Sequence, residues 1–282
     1  MTDGLAAGGG PVLRVFPDAA STTASAADAI ADALGDAIAE RGRADWATTG
    51  GSVAVPIYRS LASERLRGTV VWRAVHLWWG DDRYVPYDHP LSNVLPVEEI
   101  LLAVGRSMLG RASGHGMSST TDDPEPVDIP VENVHRFPTS EAIDDRLGAA
   151  WCAERYAVEL RTSGPARDEA GRPILDLVVL GVGPDGHVLS VFPDSAVWDV
   201  QDLAASVPAP THVEPHVERV TMHPTLVTAA RQVLVVATGA SKADAIGRAW
   251  SPGTEREIPA RIAMRSGATW LLDQAAAEGL RP

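Results

Sequence analysis

The sequence predicts an α/β fold, a Rossmann-like domain whose mostly parallel sheet is flanked by helices. Three observations predict it. Apolar runs of strand length alternate with helical periodicity along almost the whole chain. Glycine-bearing turns follow several of those runs. The chain has 282 residues, 45% of them hydrophobic, enough to bury a sizeable core, and neither an internal repeat nor a domain boundary is visible. The organisation expected is a flexible tail over 1–11, the α/β domain over 12–275 and a C-terminal tail over 276–282.

The elements follow in order. "VLRVF" (Val12 to Phe16) reads as a first strand, and "ASAADAIADALGDAIAERG" as a helix capped by Gly42. A strand near Trp46 to Thr48 leads into "TGGSVAVPIYRSLAS", a glycine turn followed by helix. "VVWRAVHLWWGDDRYVP" reads as a strand running into an acidic turn, and "PVEEILLAVG" as helical. Residues 105–130 are rich in Gly, Ser and Pro without periodicity, which marks a mobile loop insertion. Glu141 to Arg161 reads as one long helix, and "TSGPARDEAGRP" as a second loop. A strand over Leu175 to Leu180, a glycine turn and a helical piece after His187 come next. "RQVLVVATG" is a buried strand, "SKADAIGRAW" a helix and "ATWLLD" (Ala268 to Asp273) a last strand. In such sheets ligands bind outside the carboxyl ends of the strands, so the loops that follow strands matter most.

Composition narrows the function. A net charge of −13 argues against nucleic acid or an anionic membrane as partner. No apolar run approaches the roughly 18 residues of a membrane span, and "MTDGLAAGGG" lacks the basic and apolar regions of a signal peptide. The single cysteine, Cys152, excludes an internal disulfide and suits a reducing cytosol; in its helical context it reads as core filler rather than as a nucleophile. Among 24 basic side chains Lys242 alone is a lysine, and it stands just after a strand.

The central motif is "LVVLGVGPDGHVLSVF", in which Gly181, Gly183 and Gly186 match G-x-G-x-x-G. It does not read as a dinucleotide turn. No strand ending in an acid follows about 20 residues on. Asp185 would put a carboxylate where a pyrophosphate must lie, and Pro184 removes an amide donor. The glycines instead let the backbone turn sharply and present Asp185 and His187. A histidine at a strand's end suits general base chemistry near neutral pH, with Asp185 orienting the imidazole or holding a substrate hydroxyl. The bland alternative is that His187 caps a following helix.

Gly50, Gly51 and Ser52 follow a strand and open a helix, where outward amides and the helix dipole favour an anion, although a plain turn would look the same. Lys242 adds a compact ammonium suited to phosphate. His212, His216 and His223 raise the question of a metal, but Pro215 disfavours the helix that would align the first two.

"DLVVLGVGPDGHVLSVFPDS" resembles the G-x-G-x-D-G-H-x-x-S-x-F-P pattern of the 6-phosphogluconolactonase family, within the wider group that contains glucosamine-6-phosphate deaminases. "TGGSVAVPIYRSL", "WRAVHLWWGDDRYVPYDHPLSN" and "ERVTMHPTLVTAARQVLVVATGASKADAI" are similar to three further family blocks, and the four together span about Val12 to Leu272 in the family's order. The resemblance implies hydrolysis of 6-phospho-D-glucono-1,5-lactone in the cytoplasm, without metal or organic cofactor, on a small sugar-phosphate substrate. A monomer or small homo-oligomer that binds neither nucleic acid nor membrane is expected. The resemblance implies His187 as base, with Asp185 and Asp81 as its catalytic neighbours near the sugar ring. It also implies a phosphate and sugar site of Gly50, Gly51, Ser52, Arg83, Arg219 and Lys242, with amides of the glycine turn as candidates for the oxyanion. Asp82 reads as a structural carboxylate. Val53 and Ala54 depart from the family's Thr-Pro, which removes a hydroxyl from the loop. The rival branch, a deaminase, uses an acid five residues after the histidine, where this chain has Phe192. A non-catalytic sugar-phosphate-binding protein is the other alternative.

Overall fold

A computed structural model describes residues 9–102 and 125–280. Its centre is a seven-stranded sheet, every pairing of which is parallel. The strands are β1 (Val12–Phe16), β2 (Ala44–Thr48), β3 (Val75–Trp79), β5 (Val134–His135), β8 (Leu177–Gly181), β11 (Gln232–Ala237) and β12 (Ala268–Asp273). Their spatial order is β1-β12-β11-β8-β2-β3-β5. The four longest helices described are α1 (Ala19–Arg41), α2 (Ala54–Leu61), α3 (Gly148–Thr162) and α4 (Ala243–Ala249). Asp18 caps α1 by accepting the Ser21 N–H at 2.8 Å, and Gly42 ends it in the left-handed conformation, as the sequence pattern requires. α1 lies across β12, β11 and β2, burying Ala26, Ile30 and Leu34. β8 and the interior of β11 are apolar because both sheet faces are covered, β2 carries the buried Asp45 and Thr48, and Trp46, Trp78, Trp79 and Trp270 are fully buried.

Chain direction diverges at the middle of this sheet. β2 leads on to β3 on one side, while β8 leads on to β11 on the other. The loops after β2 and β8 therefore part at a topological switch point, where α/β sheets form their ligand crevice.

A second sheet stands beside that crevice. β4 (Asp81–Arg83), β10 (Arg219–Met222) and β9 (Ala204–Val207) pair antiparallel in the order β4-β10-β9. The acidic turn expected after β3 is thus the short strand β4. Gly80 is its pivot: its N–H reaches Thr48 O of the main sheet, and its carbonyl accepts Met222 N–H of the small one. A Cβ there would lie 2.5 Å from a methyl of Leu189.

Other expectations need correction. The long helix over 141–161 is two, Thr139–Asp144 and α3, broken where Arg146 (φ 57°) and Gly148 (φ 86°) adopt left-handed backbone. The second loop contains a hairpin, β6 (Ala166–Arg167) with β7 (Pro173–Ile174). "PVEEILLAVG" turns helically over Leu95–Val97 and continues as a π-helical turn, Glu98–Leu102. No helix follows His187 directly, because Leu189 (φ 54°) and a bridge between Val188 and Val191 divert the chain, and the first helical residues are a 3-10 turn, Ala196–Asp199. Ala276–Leu280, expected within a tail, forms a 3-10 turn with Ala276 buried and Gly279 packed on Ala243 and Gly247. Of the loop expected over 105–130, positions 105–124 lie outside the described residues, as do positions 1–8; over 125–130, Val127 and Ile129 are buried.

Candidate active site

Four loops at the carboxyl ends of β3, β2, β8 and β11 surround one cavity of about 190 Å³. Gly50, Gly51, Ser52, Asp81, Arg83, His187, Arg219 and Lys242 all line it. Asp185 does not; it stands behind His187.

The loop after β2 is held by Tyr58 of α2, whose buried hydroxyl bonds Thr49 O at 2.6 Å and Thr48 Oγ1 at 2.8 Å. Gly51 needs glycine for its φ of 78°. Gly50 needs it for space, since a Cβ would fall 1.9 Å from Asn93 Oδ1. Val53 takes the N-cap position of α2 without a side-chain hydrogen bond, so the hydroxyl lost relative to the family pattern has no replacement there.

In β4, alternation of side chains sends Asp81 and Arg83 to the cavity and Asp82 away from it. Asp82 is a structural carboxylate, as the sequence suggests. Its Oδ1 accepts the backbone N–H groups of Arg83 (2.8 Å) and Asn93 (2.7 Å), and its Oδ2 accepts Ser92 Oγ–H (3.1 Å). Burial pushes its carboxyl up to about 7 despite those bonds. Asp81 Oδ2 accepts the hydroxyl of Ser190 at 2.5 Å, which ties β4 to the loop after β8.

Arg83 and Arg219 are direct cross-strand partners in the β4–β10 register. Like charges so placed repel unless an anion lies between them. Arg83 donates to Leu91 O at 2.7 Å and Arg219 to Pro215 O at 3.0 Å, while the buried Nε of each has no partner. Lys242 sits where the turn after β11 enters α4. None of the three forms an ion pair among the described residues. Burial lowers the pKa values of Arg219 and Lys242, opposed by the carboxylates of Asp81 for Arg219 and Asp185 for Lys242.

The loop after β8 shapes the fourth wall. Gly186 (φ 89°) packs on Ile258, and the Gly183 N–H closes on His187 O at 2.8 Å. The imidazole lies over Gly183, where a Cβ would come within 2.1 Å of the ring. Asp185 Oδ1 faces both the His187 N–H (3.2 Å) and Nδ1 (2.6 Å). Burial raises the Asp185 carboxyl, but the hydrogen bonds and charge of His187, with a bond from His212, reverse this and hold it well below the usual carboxylate range. An ionised carboxylate only accepts, so His187 carries its proton on Nδ1 and keeps Nε2 as the basic nitrogen. The turn's own amides are less available. Those of Gly181, Gly183, Gly186 and His187 already donate to protein acceptors.

Sequence reasoning missed four neighbours. Asn93 and Ser190 lie within the motif blocks, so their signal was present; Asn93 donates to Asp81 O at 3.0 Å. Glu214 at the cavity and His212 on Asp185 sit in a loop without any pattern. His216 bonds Pro210 O and His223 faces Thr225, so the three histidines do not converge. Among the described residues no group of three His, Cys, Asp or Glu side chains is arranged to hold a metal.

A parallel α/β sheet with an imidazole and three cations lining the crevice at its switch point has the architecture of an enzyme that takes an anionic substrate, and the comparisons make the class specific. Residues 17–271 match the family described as glucosamine-6-phosphate isomerases/6-phosphogluconolactonase, and the chain belongs to that family. It is 35% identical over 248 residues to a 6-phosphogluconolactonase of Synechocystis sp., covering 87% of this chain and 88% of that one. It is 32% identical over 269 residues to a 6-phosphogluconolactonase of Nostoc sp., covering 94% and 96%. The solved 6-phosphogluconolactonase structure from Trypanosoma brucei superposes with a TM-score of 0.77 at 26% identity, covering 96% of this chain and 99% of that one.

Proposed function

We propose that this chain hydrolyses 6-phospho-D-glucono-1,5-lactone to 6-phospho-D-gluconate, the lactone step of the oxidative pentose phosphate pathway, in the cytoplasm. One observation carries the reading: an imidazole whose Nδ1 faces the Asp185 carboxylate and three cations that form no ion pair among the described residues share one cavity. A lactone bearing a phosphate needs both, a base for water at one end and positive charge for the anion at the other.

On this reading Arg83, Arg219, Lys242 and the Gly50–Ser52 loop bind the anionic substrate, and that binding energy sets the ring against His187. Nε2 takes a proton from water as the oxygen attacks the lactone carbonyl. The imidazolium, steadied by Asp185, then protonates the departing ring oxygen as the tetrahedral intermediate collapses. Asp81, fixed by Ser190, orients the sugar hydroxyls.

The deaminase branch lacks its acid here. Phe192 occupies that position, its ring 4.6 Å from that of His187. The test is to generate the lactone in situ and follow its disappearance above the spontaneous background, alongside ammonia release from glucosamine 6-phosphate. Lactone loss without ammonia is expected. Ammonia release, or lactone loss at the background rate, overturns the assignment.

A further inference from the structure

Asp185 has two histidines, and the family resemblance gives a role to only one. Its Oδ1 serves His187, while its Oδ2 lies 2.9 Å from Nε2 of His212, in the loop between β9 and β10. We propose that His212 is a positioning residue for the His187–Asp185 pair, fixing the carboxylate so that His187 presents Nε2 to the substrate; the proposal rests on the hydrolytic reading of this cavity.

The argument begins with the carboxylate. Because Asp185 is ionised and accepts only, His212 must donate its Nε2–H, as His187 donates Nδ1–H. A carboxylate bonded through one oxygen is free to turn about its last torsion, which is broad and roughly two-fold. Bonded through both oxygens, it is locked, and with it the plane and tautomer of the imidazole it holds. This is the relation by which an outer partner sets which nitrogen of a histidine stays basic.

His212 is itself held in place. Its ring stands edge-on to Phe192 at 5.6 Å, and the same Phe192 ring touches His187 at 4.6 Å and carries the Arg219 guanidinium at 5.4 Å. Phe192 is therefore a common floor for both histidines and a substrate-facing cation. The loop is pinned on either side of His212 by the bond between His216 Nδ1 and Pro210 O and by the Arg219 bond to Pro215 O.

The test compares His212→Ala with His212→Gln, whose amide supplies an N–H donor in place of the imidazole. For His212→Ala we expect kcat to fall about tenfold with KM changed less than twofold, since a charge-assisted bond that orients the base is lost while the phosphate site is untouched. His212→Gln should recover most of that loss. ¹⁵N NMR of labelled imidazoles supplies a readout independent of turnover: His187 should be Nδ1–H in the wild type and a tautomer mixture in His212→Ala. A His212→Ala enzyme with wild-type kcat, or a slowed one whose His187 tautomer is unchanged and which glutamine does not rescue, overturns the proposal. Should the wild type fail to hydrolyse the lactone, the hydrolytic reading falls, and the NMR comparison alone decides for or against His212.

Discussion

Lys242 is the residue at which sequence and structure bear on each other most directly. An otherwise arginine-based chain keeps one lysine side chain, and it lines the cavity without a carboxylate in salt-bridge contact among the described residues. Arginine gives a flat fork suited to two parallel bonds, whereas lysine gives a point charge on a flexible stem, able to follow a phosphate. Lys242→Ala should therefore raise KM about 10- to 100-fold, the worth of one hydrogen bond to a charged group, and leave kcat within a few fold. Steady-state kinetics on the in-situ lactone measures this, and an unchanged KM removes Lys242 from the phosphate site. The motif blocks and the loops that follow strands pointed to Asp81, Arg83 and His187, and all three line the cavity. They could not reveal His212, because the loop that carries it has no periodicity, and its partner Asp185 is 27 residues away in the chain.

Strands buried on both faces were the most legible elements, since an apolar run bounded by glycine has few other readings. Legibility failed where the local pattern was overridden. β4 has only three residues, Asp81, Asp82 and Arg83, and is a strand because β10 pairs with it. The break at Arg146 depends on left-handed backbone at a non-glycine residue, which no pattern announces. At the other edge of the main sheet, β5 is held by a chain of side chains. His76 Nδ1 meets His135 Nε2 at 2.9 Å, and His135 Nδ1 meets Glu159 of α3 at 2.7 Å, with Trp78 stacked on His135 at 3.9 Å. Burial, the Arg43 guanidinium and His135 outweigh the attraction of Asp45 and hold His76 down to about 4. The folded value lies below the ordinary imidazole value of about 6.5, so the unfolded chain binds more protons between those two pH values. This site's contribution to stability is full above about 6.5 and is lost as pH falls toward 4. His76→Gln, far from the cavity, should show a shallower decline in thermal midpoint between pH 7 and pH 5 than the wild type. Parallel declines would show that this edge is not acid-sensitive.

At the scale of the whole molecule, the sheet's order does the assembly. Divergence of the chain at β2 and β8 opens a crevice, the parallel direction of the strands brings four loops to the same end of it, and the small antiparallel sheet closes one side with two register-paired arginines. No single segment carries this set; the fold brings the His187 imidazole and three cations to one cavity. The described residues contain no helix long and apolar enough to cross a membrane. The most direct measurement of the account is His187→Ala, assayed for lactone turnover and, separately, for binding of 6-phosphogluconate by calorimetry. Turnover should fall by about 10²- to 10⁴-fold, the usual worth of a general base, while product affinity stays within a few fold. Normal turnover in that variant, or affinity lost together with turnover, would contradict the division of the cavity into one nitrogen that does the chemistry and a set of cations that holds the substrate.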